Sequence, residues 1–158
     1  MPTSPMRRQD KEIKDPAQVR AILAEAPCCR VAMVDGDRPY VIPVSFVLDG
    51  DALFVHSADH GRKLRILRRN PHVCFEVDAD VSVAPAKSAC DVGMRFRSVI
   101  GTGVVSFVDD SAEKARVLRL FIGKYTPAIP GEMPDHELRK TVVWRVAIER
   151  LSGKRSGR

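Results

Sequence analysis

Aromatic residues make up only 6% of this 158-residue chain, six Phe, two Tyr and one Trp. The stacking platforms on which single-stranded nucleic acids are held therefore have little to be built from, and nucleic acid is not the expected partner. No apolar run approaches the length of a membrane span, and Arg7 and Arg8 near the start are followed by no apolar stretch. Neither membrane insertion nor a secretory leader is expected, and a cytoplasmic location is. Cysteine is sparse: Cys28, Cys29, Cys74 and Cys90 contain no Cys-x-x-Cys pair, and His56, His60, His72 and His136 show no His-Glu-x-x-His spacing. No metal site is expected, and the thiols are read as reduced. The Gly-x-Ser-x-Gly elbow and the Walker-type Gly-x-x-x-x-Gly-Lys-Ser/Thr loop are both absent, so hydrolysis has no visible nucleophile or nucleotide cradle.

What is present is the composition of one globular domain. Hydrophobic residues are 44% and charged residues 29% of the chain, near the averages for folded proteins. The 26 basic against 20 acidic residues give a net charge of +6, which leaves anionic partners open, whether nucleic acid, a membrane surface or a phosphorylated small molecule, and charge alone does not choose among them.

Residues 1–14 are polar with Pro2 and Pro5 and read as a loose arm. Asp15, Pro16 and Gln18 form a helix start, with Val19, Ile22, Leu23 and Ala26 at helical spacing until Pro27. Two Asp-Gly-Asp triplets, at 35–37 and 49–51, then punctuate three β runs, Cys29 to Val34, Tyr40 to Leu48 and Leu53 to Ser57. Pro43 marks the second as an edge or a bulge. A short basic helix over 61–70 precedes a strand over 72–77, a loop over 78–90 and a long strand over 94–108 in which Gly101 and Gly103 mark a bend. Asp110 and Glu113 open the longest helix, a proline-rich loop covers 126–135, and a last strand spans 141–148 before a basic tail over 155–158. Consecutive strands with few intervening helices give an α+β, mainly β class: an antiparallel barrel with peripheral helices, formed by a single domain over 15–154.

The stretch LFVHSADHGRKLRILRRN, residues 53–70, carries the most chemistry. A strand ends in small polar residues, turns at Gly61 and enters a helix whose first turn holds Arg62 and Lys63. Free N–H groups and the positive end of the helix dipole face outward there, and cations in that turn are unfavourable unless an anion compensates them. The pair is therefore read as a phosphate site, with His56 and Ser57 as neighbouring donors. Arg65 and Arg69 further along solvate the outer face. Gly101-Thr-Gly103 imitates part of a dinucleotide fingerprint but lies in a strand and carries Ser106 where the third Gly belongs.

Four segments together carry a resemblance: PYVIPVSF at 39–46, LFVHSADHGRKLRILRRNPHVCFEV at 53–77, MRFRSVIGTG at 94–103 and ERLSGKR at 149–155. The chain resembles the pyridoxamine-phosphate-oxidase-like FMN-binding split barrels, and within them the nitroimidazole-resistance, or Nim-type, group. The resemblance implies a homodimer of split β-barrels with FMN at the subunit interface. It implies that Arg62 and Lys63 hold the phosphate, with His56, Ser57, Ala58 and Gly61 beside it. Pro43, Val44 and Ser45 would line the flavin ring, and Arg97, Ser98 and Val99 would reach it across the site. Trp144 and Lys154 would come from the C-terminal strand, toward the partner's cofactor. His56 matches the Nim-type histidine near substrate and flavin and is the catalytic candidate.

The ending ERLSGK only approximates, through Arg150 and Lys154, the Arg-Leu-His-Asp-Arg type ending that grips the vitamin phosphate, which argues against pyridoxamine phosphate as substrate. The expected function is an FMN-dependent oxidoreductase passing electrons from a reduced nicotinamide to a small electrophilic or nitroaromatic acceptor. The alternative is a protein that binds or sequesters flavin, deazaflavin or haem without rapid turnover.

Overall fold

Apolar side chains at every second position put Cys29, Val31 and Met33 of one strand, and Val73, Phe75 and Val77 of another, on one buried side. The computed structural model describes residues 6–86, 88–128 and 134–157. Its elements are β1 (Glu12–Ile13), α1 (Pro16–Glu25), β2 (Cys29–Asp35), β3 (Arg38–Val44), β4 (Val47–Asp49), β5 (Ala52–Ala58), α2 (Arg62–Arg69), β6 (His72–Val83), β7 (Met94–Val108), α3 (Ser111–Tyr125), α4 (Asp135–Lys140) and β8 (Thr141–Ser156). The strands form one sheet in the order β3-β2-β6-β7-β8-β5-β4, with β1 added against β8, and every pairing given is antiparallel. The mainly β class with marginal helices is what the strand-rich pattern predicts.

Two cores flank the sheet. The larger gathers α1 and α2 with the inward faces of β2, β5, β6 and β8 around Phe46, Phe75 and Trp144. The smaller lies between α3 and the other face of β4, β5 and β8, joining Phe54, Val117, Phe121 and Val143. Since β5 is covered on both faces, Ala52, Leu53, Phe54 and Val55 are all buried, and the run is apolar without alternation.

Local signals placed several elements well. Asp15 caps α1 by accepting from the Ala17 N–H at 2.9 Å, and Asp110 caps α3 by accepting from the Glu113 N–H at 2.7 Å. Both Asp-Gly-Asp triplets are two-residue hairpin turns, with Gly36 and Gly50 at φ of 69° and 55°. Pro43 sits on β3, the sheet's edge. The Gly101 and Gly103 bend is a register shift between Thr102 and Gly103, and the Phe75 ring lies where a side chain on Gly101 would be.

Other expectations are corrected. Residues 9–13 of the arm are ordered: a 3-10 turn leads into β1, whose Ile13 pairs with Gly153 and is buried, while residues 1–5 lie outside the described residues. The second β run breaks at Ser45 and Phe46. The loop over 78–90 is strand as far as Val83, and α4 stands where a loop was expected to end. The final strand does not stop at Ile148, because β7 pairs with it as far as Ser156 and takes in the first two residues of the basic tail.

Candidate functional site

The ladder between β4 and β5 sets Val47 opposite Phe54. The end of β3 (Pro43, Val44, Ser45) and the end of β5 (His56, Ser57, Ala58) therefore arrive at the same end of that ladder. Pro43, Ser45, His56 and Ala58 are exposed, and Val44 and Ser57 are half-buried. The chain then turns through the exposed pair Asp59 and His60, 2.7 Å apart, and reaches Gly61. This residue is the N-cap of α2 at φ 121°, a conformation that favours glycine, and it offers no side chain to the helix N–H groups. Arg62 and Lys63 follow in the first turn.

The two cations differ in their surroundings. Arg62 donates from Nε to the Asp35 carboxylate at 3.0 Å and lies over the Tyr40 ring, 4.3 Å from its centroid. Lys63 is half-buried and has no carboxylate partner among the described residues. A cation left unpaired in the first turn of a helix fits an anionic ligand. The His56 ring packs edge-on against Phe121, centroids 4.6 Å apart. Partial desolvation, and secondly the charge of Lys63, hold the His56 pKa below the usual imidazole value, so the neutral ring prevails at pH 7.

Of the remaining predicted residues, Trp144 pairs with Val55 beside His56, whereas Arg97, Ser98, Val99 and Lys154 lie elsewhere in the chain. Ser98 pairs with Lys154 and Val99 with Gly153, whereas His56 pairs with Val143. From Val143 to Lys154 the strand runs for about 36 Å if fully extended, so the two groups occupy opposite ends of β8. Arg97 is neutralised there by Asp80 and by Glu25 at 3.5 Å, and Lys154 stands over the Phe96 ring at 5.9 Å. Two of the predicted positions are buried within the chain. The side chains of Val99 and Trp144 are both wholly enclosed in the larger core, so neither offers a surface to a ligand. Burial of alternate strand residues, which spacing alone could not orient, decides both.

The family model for pyridoxamine 5'-phosphate oxidase matches residues 15–155. The chain belongs to that family. Its fold is the family's α+β split barrel. A proposed 5-nitroimidazole antibiotic resistance protein from Bacteroides thetaiotaomicron is 30% identical, with a TM-score of 0.80 over 90% of this chain and 85% of that one. The flavocytochrome Anf3 from Azotobacter vinelandii is 27% identical, with a TM-score of 0.85 over 97% of this chain and 72% of that one. An FAD and haem binding protein from Mycobacterium smegmatis is 25% identical, with a TM-score of 0.80 over 94% and 74%. No curated protein matches the chain.

Residues that the sequence reading did not assign also shape this family member's site. The Tyr125 hydroxyl accepts from the Phe46 N–H at 2.9 Å and lies 2.8 and 3.0 Å from the Phe46 and Pro27 carbonyls. Lys124 donates to the Phe46 carbonyl at 3.1 Å. The end of α3 thus pins the corner directly after Ser45. Such contacts cross 78 to 98 residues, and no local spacing announces them. A groove of about 310 Å³ between β1, α1 and β8, lined by Ile13, Pro16, Val19 and Leu151, holds none of the predicted site residues.

Among the described residues no cluster of three His, Cys, Asp or Glu could hold a metal, and no helix is long and apolar enough to cross a membrane. All four cysteines are free. Burial pushes the Cys29 thiol up to about 12, so it stays protonated and unreactive at neutral pH. Ellman's reagent is expected to leave Cys29 unmodified in the native protein and to titrate it only after unfolding. Rapid native labelling at Cys29, mapped by mass spectrometry, would contradict this.

Proposed function

We propose that this chain is an FMN-dependent oxidoreductase that takes electrons from a reduced nicotinamide and passes them to a small electrophilic or nitroaromatic acceptor. The observation that carries the reading is the unpaired Lys63 in the first turn of α2, behind the left-handed Gly61 and beside His56. Family membership and the likeness to a proposed nitroimidazole-resistance protein support it. When bound, FMN would supply the capacity to accept a hydride from the donor and release two electrons to the acceptor.

The residues divide the work. Lys63, Arg62 and the free N–H groups of α2 hold the phosphate, with Ser57 and Ala58 alongside the ribityl chain, while Pro43, Val44 and Ser45 offer backbone to the ring. His56, neutral at pH 7, holds one proton on a ring nitrogen and orients the acceptor by hydrogen bonding. A proton donated by an imidazolium would be scarce at that pH, since the His56 pKa is lowered.

The protein acts as a homodimer in this reading. Arg97 and Ser98 of β7, and Lys154 beside them on β8, lie too far from the protomer's own His56 end to serve it, and a second protomer can bring them to it. Val41 and Ile100, 61% and 50% exposed, supply apolar surface for that contact. A second reading, a flavin or haem carrier without rapid turnover, is favoured by the relatives that are a flavocytochrome and an FAD and haem binding protein. An exposed, neutral His56 is the form in which an imidazole ligates haem iron.

Size-exclusion chromatography of the purified protein with absorbance detection tests these readings together. The expected result is elution at twice the chain's mass with flavin absorption, FMN on release, and nicotinamide-dependent turnover that falls in His56→Ala while flavin stays bound. A Soret band would move the conclusion to haem, and a colourless monomer that takes up no added FMN would overturn the reading.

A further inference from the structure

The first Asp-Gly-Asp turn meets the start of α2 in space although it lies far from it in sequence. Asp35, the last residue of β2, uses both oxygens: Oδ2 accepts from Arg62 Nε at 3.0 Å and Oδ1 accepts from a terminal nitrogen of Arg69 at 2.7 Å. Arg62 and Arg69 are two helical turns apart and share a face of α2, so one carboxylate clasps that face. Tyr40, on the other strand of the same hairpin, places its ring under the Arg62 guanidinium, 4.3 Å from centroid to the guanidinium carbon. The Asp35 side chain is 24% exposed, and that of Arg62 is 48% exposed. With Nε engaged by Asp35 and the ring on one side, the two terminal nitrogens of Arg62 remain available to an anion.

We propose that Asp35 and Tyr40 are positioning residues for Arg62: the β2–β3 hairpin presets this guanidinium for a phosphate monoester bound at the start of α2. The proposal rests on the flavin-phosphate reading of that site. An unrestrained arginine loses rotamer freedom when it grips a ligand, and a preset one has already lost it. Asp35 also adjusts the local charge. It offsets part of the positive charge of Arg62 and Arg69, which it pairs with directly.

Charge alone and positioning predict opposite signs for one substitution. If Asp35 acted only as a negative charge near the ligand, Asp35→Asn would tighten phosphate binding; if it positions Arg62, the same change weakens it. The experiment is a fluorescence titration of FMN, and of riboflavin, which lacks the phosphate, into the full-length protein stripped of flavin. Asp35→Asn and Arg62→Lys are each expected to weaken FMN by about tenfold and to leave riboflavin unchanged. Lysine keeps the charge at position 62 but has neither the Nε donor nor the planar face. The double variant is expected to bind FMN no more weakly than Arg62→Lys alone, because both changes break one link.

FMN held as tightly or more tightly by Asp35→Asn would overturn the proposal while leaving the phosphate site standing. Wild-type protein that binds FMN no better than riboflavin would remove the phosphate site and the proposal together. If Asp35→Asn does not fold, Tyr40→Leu and Arg62→Lys carry the test with the carboxylate retained, and unchanged FMN affinity in both overturns it.

Discussion

Replacing Lys63 with alanine is expected to weaken FMN binding by about 10- to 100-fold, with riboflavin affected far less. A charge-assisted hydrogen bond contributes about 1.5–3 kcal/mol, and each 1.4 kcal/mol is about a tenfold change in affinity. Lys63 is half-buried, so part of its charge is already screened by solvent and the lower half of that range is the better expectation. The same variant has a second readout that needs no flavin. The His56 pKa is lowered first by desolvation and then by Lys63. Removing the ammonium should move the His56 titration upward toward about 6.5, the ordinary imidazole value, without reaching it, because the desolvation remains. The sign for stability follows. A histidine whose folded pKa is depressed favours the fold above the unfolded value and loses that contribution as pH falls through the folded one. The acid-side loss of stability should therefore be smaller in Lys63→Ala than in the wild type. His56 resonances followed by NMR across pH 4–8 would check the shift. An unmoved His56 titration, together with unchanged FMN affinity, would remove Lys63 from the site.

Where a feature depends on neighbours in the chain, the sequence was sufficient. Asp15 before Pro16, the two Asp-Gly-Asp turns and the alternation over Met94–Val108 are local physics, and those elements formed where expected. The glycine turn into a basic helix start is local as well, so the arrangement around Gly61, Arg62 and Lys63 could be read before any fold was known. What failed depended on distant partners. Leu151, Ser152 and Gly153 lack strand periodicity, yet β7 pairs with all three, and Ile13 of β1 pairs with Gly153 from the other side. Likewise Asp78 to Val83 reads as a polar loop, and only the opposing residues of β7 make it strand, with a register shift and Asp80 at positive φ. Asp35 illustrates the same limit at the site. As part of a turn signal it was fully accounted for, and nothing in its spacing pointed to Arg62, 27 residues later.

Trp144→Ala is expected to cost about 3–5 kcal/mol of folding stability, the range for removing a large buried aromatic side chain, measurable as a lower urea midpoint. Trp144 is wholly enclosed, in the larger core together with Val55 and Val146, and the space it leaves cannot be filled by an edge or loop. The indole also carries a penalty of its own. Its Nε1 is buried and has no hydrogen-bond partner among the described residues. Such a group costs about 1–3 kcal/mol in lost solvation. Trp144→Phe removes that unsatisfied donor while keeping an aromatic ring, so the loss of packing and the relief oppose one another. Its stability should fall within about 1 kcal/mol of wild type if the two magnitudes nearly cancel. The pair of variants also separates core from cofactor contact. A core residue lowers the urea midpoint in Trp144→Ala and leaves the FMN affinity of the folded fraction nearly unchanged. A flavin contact, as the family resemblance implied for this position, would lower FMN affinity in both variants with little change in the midpoint, and that outcome would move Trp144 out of the core and into the site.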